Sequence, residues 1–495
     1  MRAEAATLDT AAVRRPRTAA TWALLPILHL ALALGCAPVP GEMELAGRLE
    51  REGASYEPSP PSQGSGQEGA RLTELDEDAT LADYLAYGAR ANPGLEAAFN
   101  RWAAALERIP QARALPDPTL GFGYFVQEVE TRVGPQRAKL GVSQMLPWTG
   151  KRALRGEAAL HKAEAAHARY EAAKLSLFYR IRRAYWEYWY LSRAIAITEE
   201  NLRLVAQLEG VARAKYAAGL APQSAVTKAQ VELGRLEDRL TALRDMRGPG
   251  SAELDAAIGR RPGAALPWPK ESPPENRGGI DYDALAALLD ESSPELAAAD
   301  AIIDNEESNV ALARKGALPD VGVGLDYTFT GESAMAGSDS GKDIVAMLSV
   351  SLPLGRAKYR AAEREAQARL AAARLDRADR ENALSASLKA ALFGFRDAER
   401  RTELYGNTLL AKARQALDVA RQSFEAGKAD FLDVIDAQRT LLEFDLAQER
   451  ARASRAVSLA EIEMLVGTEI AGAGPLIKRS ASKAGANGGA LEEDR

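Results

Sequence analysis

Cysteine is almost absent from this chain: one residue, Cys36, in 495. No disulfide can close within it, so nothing covalent holds the fold. Histidine is nearly as scarce, with three residues. His161 and His167 stand six apart on a helical pattern. Two ligands on one helix face need a spacing of three or four, so both read as solvated surface groups rather than metal ligands. The seven methionines form no cluster suited to a soft metal. No catalytic constellation is present, which argues against an enzyme, and no metal or other cofactor is implied. The net charge is −6, so no basic field invites nucleic acid. Aromatic residues make up only 6%. Few aromatics with abundant Ala, Leu, Glu, Arg and Gln favour long, slender helices over thick globular cores.

What the chain does contain is a large internal repeat. The turn Tyr216-Ala-Ala-Gly219 lies between two runs of helical pattern, and Phe424-Glu-Ala-Gly427 repeats its layout 208 positions later. Val226, Ala229, Leu233 and Leu236 have counterparts in Val434, Ala437, Leu441 and Phe444 at the same interval. Earlier in each copy, Leu115-Pro116-Asp117 matches Leu318-Pro319-Asp320, and Leu146-Pro147 matches Leu352-Pro353. Two equivalent halves of one architecture follow, at residues 79–260 and 281–470, joined by a Gly- and Pro-rich linker over 261–280.

Each half has the order helix, β-hairpin, long helix, return helix. In the first, Asn92-Pro93 opens a helix to about residue 114. Strands follow near 119–129 and 137–146, then helices over 151–218 and 222–259. Leu120, Phe122, Tyr124 and Val126 share one strand face, opposite Gly121, Gly123, Phe125 and Gln127. In the second half Ser293-Pro294 opens the short helix, strands fall near 320–330 and 343–352, and helices cover 356–427 and 430–466. Tyr170, Ala173, Leu177, Ile181, Ala184, Tyr188, Leu191 and Ile195 recur at steps of three and four, a coiled-coil seam. The cluster of Tyr and Trp between Tyr185 and Tyr190 reads as packing against several neighbours.

The ends read differently. Arg14, Arg15 and Arg17 precede the apolar run Trp22–Leu34, which is too short to be a comfortable membrane span, and Ala33-Leu34-Gly35-Cys36 offers a small-residue cleavage site. Residues 1–36 are therefore expected to be an export signal. The junction resembles a bacterial lipoprotein signal, although Ala33 stands where such signals usually carry leucine. That resemblance implies lipidation of Cys36; ordinary cleavage nearby is the alternative. Residues 37–78 are expected to be a flexible linker and 471–495 a disordered tail.

A long helix of about 70 residues would reach on the order of 100 Å. The strands, about 10 residues long with one apolar face, suit a membrane-spanning barrel. Four strands cannot close a barrel, and open edges are not tolerated in lipid. The expected fold is thus mainly α with a transmembrane β-barrel contribution: a trimer forming one α-helical barrel and one 12-stranded β-barrel. A small soluble sheet is the alternative, and would leave both apolar faces to be covered by a domain the sequence does not contain.

These features together resemble the TolC-like outer-membrane efflux proteins, over roughly residues 80–470. The resemblance rests on the duplicated order, the strand exit Ser143-Gln-Met-Leu-Pro-Trp-Thr-Gly-Lys151, and the two glycine turns, the second continuing to Asp433 and Asp436. It implies a homotrimeric exit duct in outer-membrane lipid, served by a periplasmic adaptor protein and an inner-membrane pump. The strand exit is also similar to members paired with metal-exporting pumps of the resistance-nodulation-division type. By the same resemblance, Gly219, Leu220, Ala221, Gly427, Lys428 and Ala429 form the adaptor-docking tip, and Asp433 and Asp436 the entrance gate. Asp433 and Asp436 are three apart, on one helix face, and threefold symmetry would turn them into rings that favour cations. The alternative is that Asp430 caps the helix and the other two simply favour its positive end. The chain departs from the best-known member's pattern at Ala429, Ala225 and Phe424, where an arginine, an aspartate and a tyrosine are usual. The charge pairs that would lock the entrance are missing, so coiled-coil packing or other contacts must hold it. An exit channel for type I protein secretion and a structural periplasmic coiled-coil protein are the remaining readings; an adaptor would carry one hairpin, not two.

Overall fold

The computed structural model describes residues 41–53, 75–131, 134–263, 266–274, 280–331 and 343–470. Cys36 with the rest of the expected export signal, the expected C-terminal tail and residues 332–342 lie outside the described residues.

Prolines decide where many of the helices begin and end. Helices α1 (Glu42–Gly53) and α2 (Leu81–Ala91) precede α3, which starts at Pro93 behind the Asn92 cap. The helix expected to reach residue 114 is instead two, α3 (Pro93–Leu106) and α4 (Arg108–Arg113). Pro110 is the reason: its ring collides with the carbonyl four residues back, at Leu106. Pro249 acts in the same way on Asp245. The return helix of the first copy is therefore α6 (Gln223–Asp245) followed by α7 (Arg247–Ile258). Before them runs α5 (Lys151–Ala217), unbroken for 67 residues. The second copy opens with α8 (Tyr282–Ser292) and α9 (Pro294–Lys315), and continues with α10 (Arg356–Leu404), α11 (Leu410–Glu425) and α12 (Phe431–Val466). A π-turn over Tyr405–Leu409 separates α10 from α11, so the second long helix carries an irregularity that the first lacks.

Strands β1 (Thr119–Val129), β2 (Gln136–Leu146), β3 (Val321–Thr330) and β4 (Asp343–Val350) form one antiparallel sheet in the order β1-β2-β3-β4. The two copies join at its centre, where β2 pairs with β3. One face carries Leu120, Phe122 and Tyr124 of β1, Leu140 and Val142 of β2, Leu325 and Phe329 of β3, and Ile344 and Leu348 of β4, all exposed. The other is rich in glycine. There Asp326 folds over Gly141, where any Cβ would collide with its carboxylate, and meets Lys139 at 2.5 Å. Among the described residues no helix is long and apolar enough to cross a membrane.

Below the sheet, α5 packs on α3, α4 and α9 in its first part and on α6 and α7 in its second. Tyr185, Trp186, Tyr188 and Trp189 are all buried there. Two stretches expected to be linkers are partly built into this body. Within 37–78, α1 is a helix: Leu45 is 7% exposed, Glu42 pairs with Arg113 at 3.3 Å, and Glu52 accepts from the Tyr170 hydroxyl at 3.0 Å. A composition rich in Pro, Gly and Ser on either side conceals this short amphipathic stretch. Within 261–280, Trp268 stacks on Tyr188 at 4.4 Å and Leu266 is buried. Replacing Leu45 by alanine should weaken the attachment of α1 by about 2–5 kcal/mol. Hydrogen exchange over residues 42–53 should then speed up with exchange in α5 unchanged; equal protection in both proteins would refute the packing role.

Candidate functional site: two hairpin tips and the clasp between them

Two glycines shape the far end of the helices. Gly219 and Gly427 adopt φ of +69° and +75°, and no atom lies within 4 Å of where a Cβ would be, so backbone conformation and not space selects glycine. Each turn closes with the same two bonds. The Leu220 amide donates to the Lys215 carbonyl at 2.8 Å and the Gly219 amide to Tyr216 at 2.9 Å. Lys428 donates to Ser423 at 2.8 Å and Gly427 to Phe424 at 3.0 Å. This is the left-handed helix cap that satisfies the last carbonyls. Leu220 and Lys428 stand exposed at the apices, and Ala221 and Ala429 are half-buried behind them.

Behind the apices is an apolar plug. Phe424 and Phe431 meet edge to face at 5.2 Å, in a buried cluster with Leu208, Ala225, Ala229, Leu417 and Val434. Ala225 and Phe424, two of the positions at which the chain departs from the best-known member's pattern, are thus part of the hydrophobic contact between the hairpins.

Polar links flank the plug, made by residues other than the expected ones. Lys215 Nζ donates to the carbonyls of Phe424 and Glu425, both at 2.7 Å, and lies 5.0 Å from the Phe424 ring centre. Both carbonyls lie at the end of α11, where helix geometry leaves acceptors over; that of Phe424 also accepts from the Gly427 amide. Arg439 Nε donates to Glu232 at 3.0 Å, joining α12 to α6, and Glu232 is buried. Lys228 lies 3.9 Å from Asp430. Gln438 donates to Asn201 of α5, both buried. Only Lys215 carries a sequence signal, a cation in the last turn of a helix. The other pairs join residues some 200 positions apart, which no local pattern reveals.

The carboxylates of α12 are not equivalent. Asp433 and Asp436 are both exposed near the tip. Asp436 lies 3.8 Å from Arg439 Nη1, whereas Asp433 makes no ion pair among the described residues. Asp430 occupies the N-cap position, yet its side chain makes no capping hydrogen bond. Further from the tip, a polar cavity of about 570 Å³ is lined by Arg193, Arg203, Arg414, Glu200, Asp445 and Glu449. Burial pushes the Asp445 carboxyl up; Arg414 opposes the shift, and Glu200 and Glu449 add to it.

The histidines that read as solvated are held instead. His167 lies against Trp102, with ring centres 4.5 Å apart, and burial lowers its pKa. His161 meets Glu164 at 2.8 Å. No group of three His, Cys, Asp or Glu among the described residues is placed to hold a metal ion.

Arg439→Ala leaves the buried Glu232 without its main partner and should cost about 1–3 kcal/mol locally. The second hairpin should part more readily from the first, seen as faster amide exchange over residues 431–445 and a higher mean conductance in planar bilayers. Unchanged exchange and conductance would show that the apolar plug alone joins the hairpins.

Residues 89–260 and 285–468 match the outer membrane efflux protein family, a segment in each copy of the repeat. The chain is 26% identical to the cobalt-zinc-cadmium resistance protein CzcC of Cupriavidus metallidurans, over 74% of this chain and 84% of that one. It is 24% identical to the pyoverdine export outer membrane protein OpmQ of Pseudomonas putida, over 62% of this chain and 65% of that one. Among solved structures, the outer membrane protein VceC of Vibrio cholerae superposes with a TM-score of 0.65 at 20% identity, covering 79% of this chain and 96% of VceC. With the duplicated order, the apolar-faced sheet and the paired tips, these matches settle the assignment: the chain belongs to the outer membrane efflux protein family and is an efflux channel of the outer membrane.

Proposed function

We propose that this channel works as a homotrimer and is the exit duct of a tripartite efflux pump. The observation that carries the reading is the sheet: four strands, an apolar exposed face and two open edges. In lipid each edge needs a partner strand, and a second and third copy supply them. Three copies bring twelve strands to one barrel and a ring of helices to the tube beneath it. Phe393 and Leu375, more than 70% exposed on α10, belong to the helix surfaces that the neighbouring copies would cover.

At the far end, Gly219 to Ala221 and Gly427 to Ala429 meet a periplasmic adaptor, which passes cargo from an inner-membrane pump of the resistance-nodulation-division type. The CzcC relative, named for cobalt, zinc and cadmium resistance, supports a pump of the metal-exporting kind. Lipidation of Cys36 would add an anchor. Asp433 and Asp436 line the entrance and favour cations there.

Outer-membrane fractions should contain a heat-modifiable trimer, and Phe393→Arg should weaken it; a soluble monomer would refute the duct. In planar bilayers the wild type should prefer cations. Asp433→Ala should remove most of that preference and Asp436→Ala less, because Asp436 already faces Arg439. Equal selectivity in all three proteins would exclude a gate role for either carboxylate.

A further inference from the structure

The duplication predicts how one copy meets the next, residue by residue. Sequence positions in β1 and β3 differ by 203, as in Leu115-Pro116-Asp117 and Leu318-Pro319-Asp320. Positions in β2 and β4 differ by 206, as in Leu146-Pro147 and Leu352-Pro353. Those two offsets convert the register of the first hairpin into that of the second. Thr119 pairs with Ser143, and Gly322 with Ser349; Leu120 pairs with Val142, and Val323 with Leu348. The halves are therefore equivalent in hydrogen-bond register and not only in order.

The contact between the halves, β2 with β3, has no second instance inside one chain, because β4 and β1 are the free edges. Gln144 pairs with Val323, Val142 with Leu325, Leu140 with Tyr327 and Ala138 with Phe329. Shifted by the same offsets, these pairs become Val350 with Leu120, Leu348 with Phe122, Ala346 with Tyr124 and Ile344 with Val126. Every one of these residues lies on the apolar face. A slip of one position would set that face against Gly121 and Gly123, so the side-chain pattern independently supports the register.

The β2–β3 contact also has a polar node at its helical end. Lys151, the first residue of α5, is buried, and its Nζ donates to the Leu318 carbonyl at 2.9 Å and to Asp320 at 2.8 Å. The Trp148 amide donates to the same Asp320 oxygen at 2.7 Å. The counterpart of Asp320 is Asp117. The counterpart of Lys151 is Arg356, one position short of the strand offset but likewise the first residue of a helix and likewise preceded by glycine. Asp117 and Arg356 are exposed, and neither makes an ion pair among the described residues.

We infer that β4 of one copy pairs with β1 of the next with Val350 opposite Leu120, and that Arg356 of the first copy closes on Asp117 of the second. This deepens the barrel reading and rests on it. The partner surface is a second copy of this chain, offered a free edge of matching face and a charge of opposite sign.

Leu120→Cys combined with Val350→Cys should give covalent dimers and trimers in membranes treated with a short thiol cross-linker, while Leu120→Cys with Ile344→Cys should not. The unaltered chain, with its lone Cys36, is the control. Asp117→Arg and Arg356→Asp should each lower the temperature at which the detergent-resistant trimer dissociates, and the double reversal should restore it. A trimer in which only the Ile344→Cys pair cross-links, or none does, overturns the register and leaves the barrel intact. Reversals that do not compensate overturn the ion pair. Absence of any trimer in the unaltered chain removes the barrel reading and this inference together.

Discussion

A strand in hydrocarbon must give every backbone amide and carbonyl a partner, because no water is there to take one. The sheet of this protein meets that demand at its centre and not at its ends: β2 and β3 are paired on both sides, β1 and β4 on one. Much else follows from that constraint. An apolar face of Leu120, Phe122, Tyr124 and their neighbours is stable in lipid only if the edges are closed, and four strands cannot curl enough to close on themselves. The proposed trimer closes every edge and brings twelve strands together, within the size range of membrane barrels.

The helical body carries a second constraint, that long slender helices must keep register with few large side chains. Apolar seams rich in alanine allow close approach but discriminate poorly between alternative registers. Buried polar pairs discriminate well, since a slip would strand a charge or an amide without a partner. Asn201 with Gln438 and Glu232 with Arg439 sit where such pairs would fix the second hairpin against the first. Lys215 does the same at the tip, where it donates to the last two carbonyls of α11. The hairpin tips are thus joined by a different set of groups from those the best-known member's pattern suggests, and two of the positions lacking polar residues, Ala225 and Phe424, are part of the plug.

Much of the architecture is legible in the chain itself. Alternation along Leu120 to Val126 marks a strand face, and the three-four spacing from Tyr170 to Ile195 marks a seam, because both periods are imposed by backbone geometry alone. The glycines at 219 and 427 are legible for the same reason, since a left-handed cap needs a residue without a Cβ. Breaks at Leu106 and Asp245 are written there too, in Pro110 and Pro249 four residues on, although the apolar pattern that continues across them conceals both. Helix α1 is hidden by its surroundings: twelve residues of amphipathic sequence between stretches of Pro, Gly and Ser leave little periodic signal.

By itself, then, the sequence determined most of the elements and the faces they present, which depend on residues a few positions apart, and their duplication, which shows when the chain is set against itself. Tertiary structure alone decided which of many charged and amide side chains meet: Arg439 with Glu232, Lys215 with the end of α11, Lys151 with Asp320. The physical reason is that a polar pair is selected by burial, and burial at a given residue is set by helices and strands brought together from distant parts of the chain.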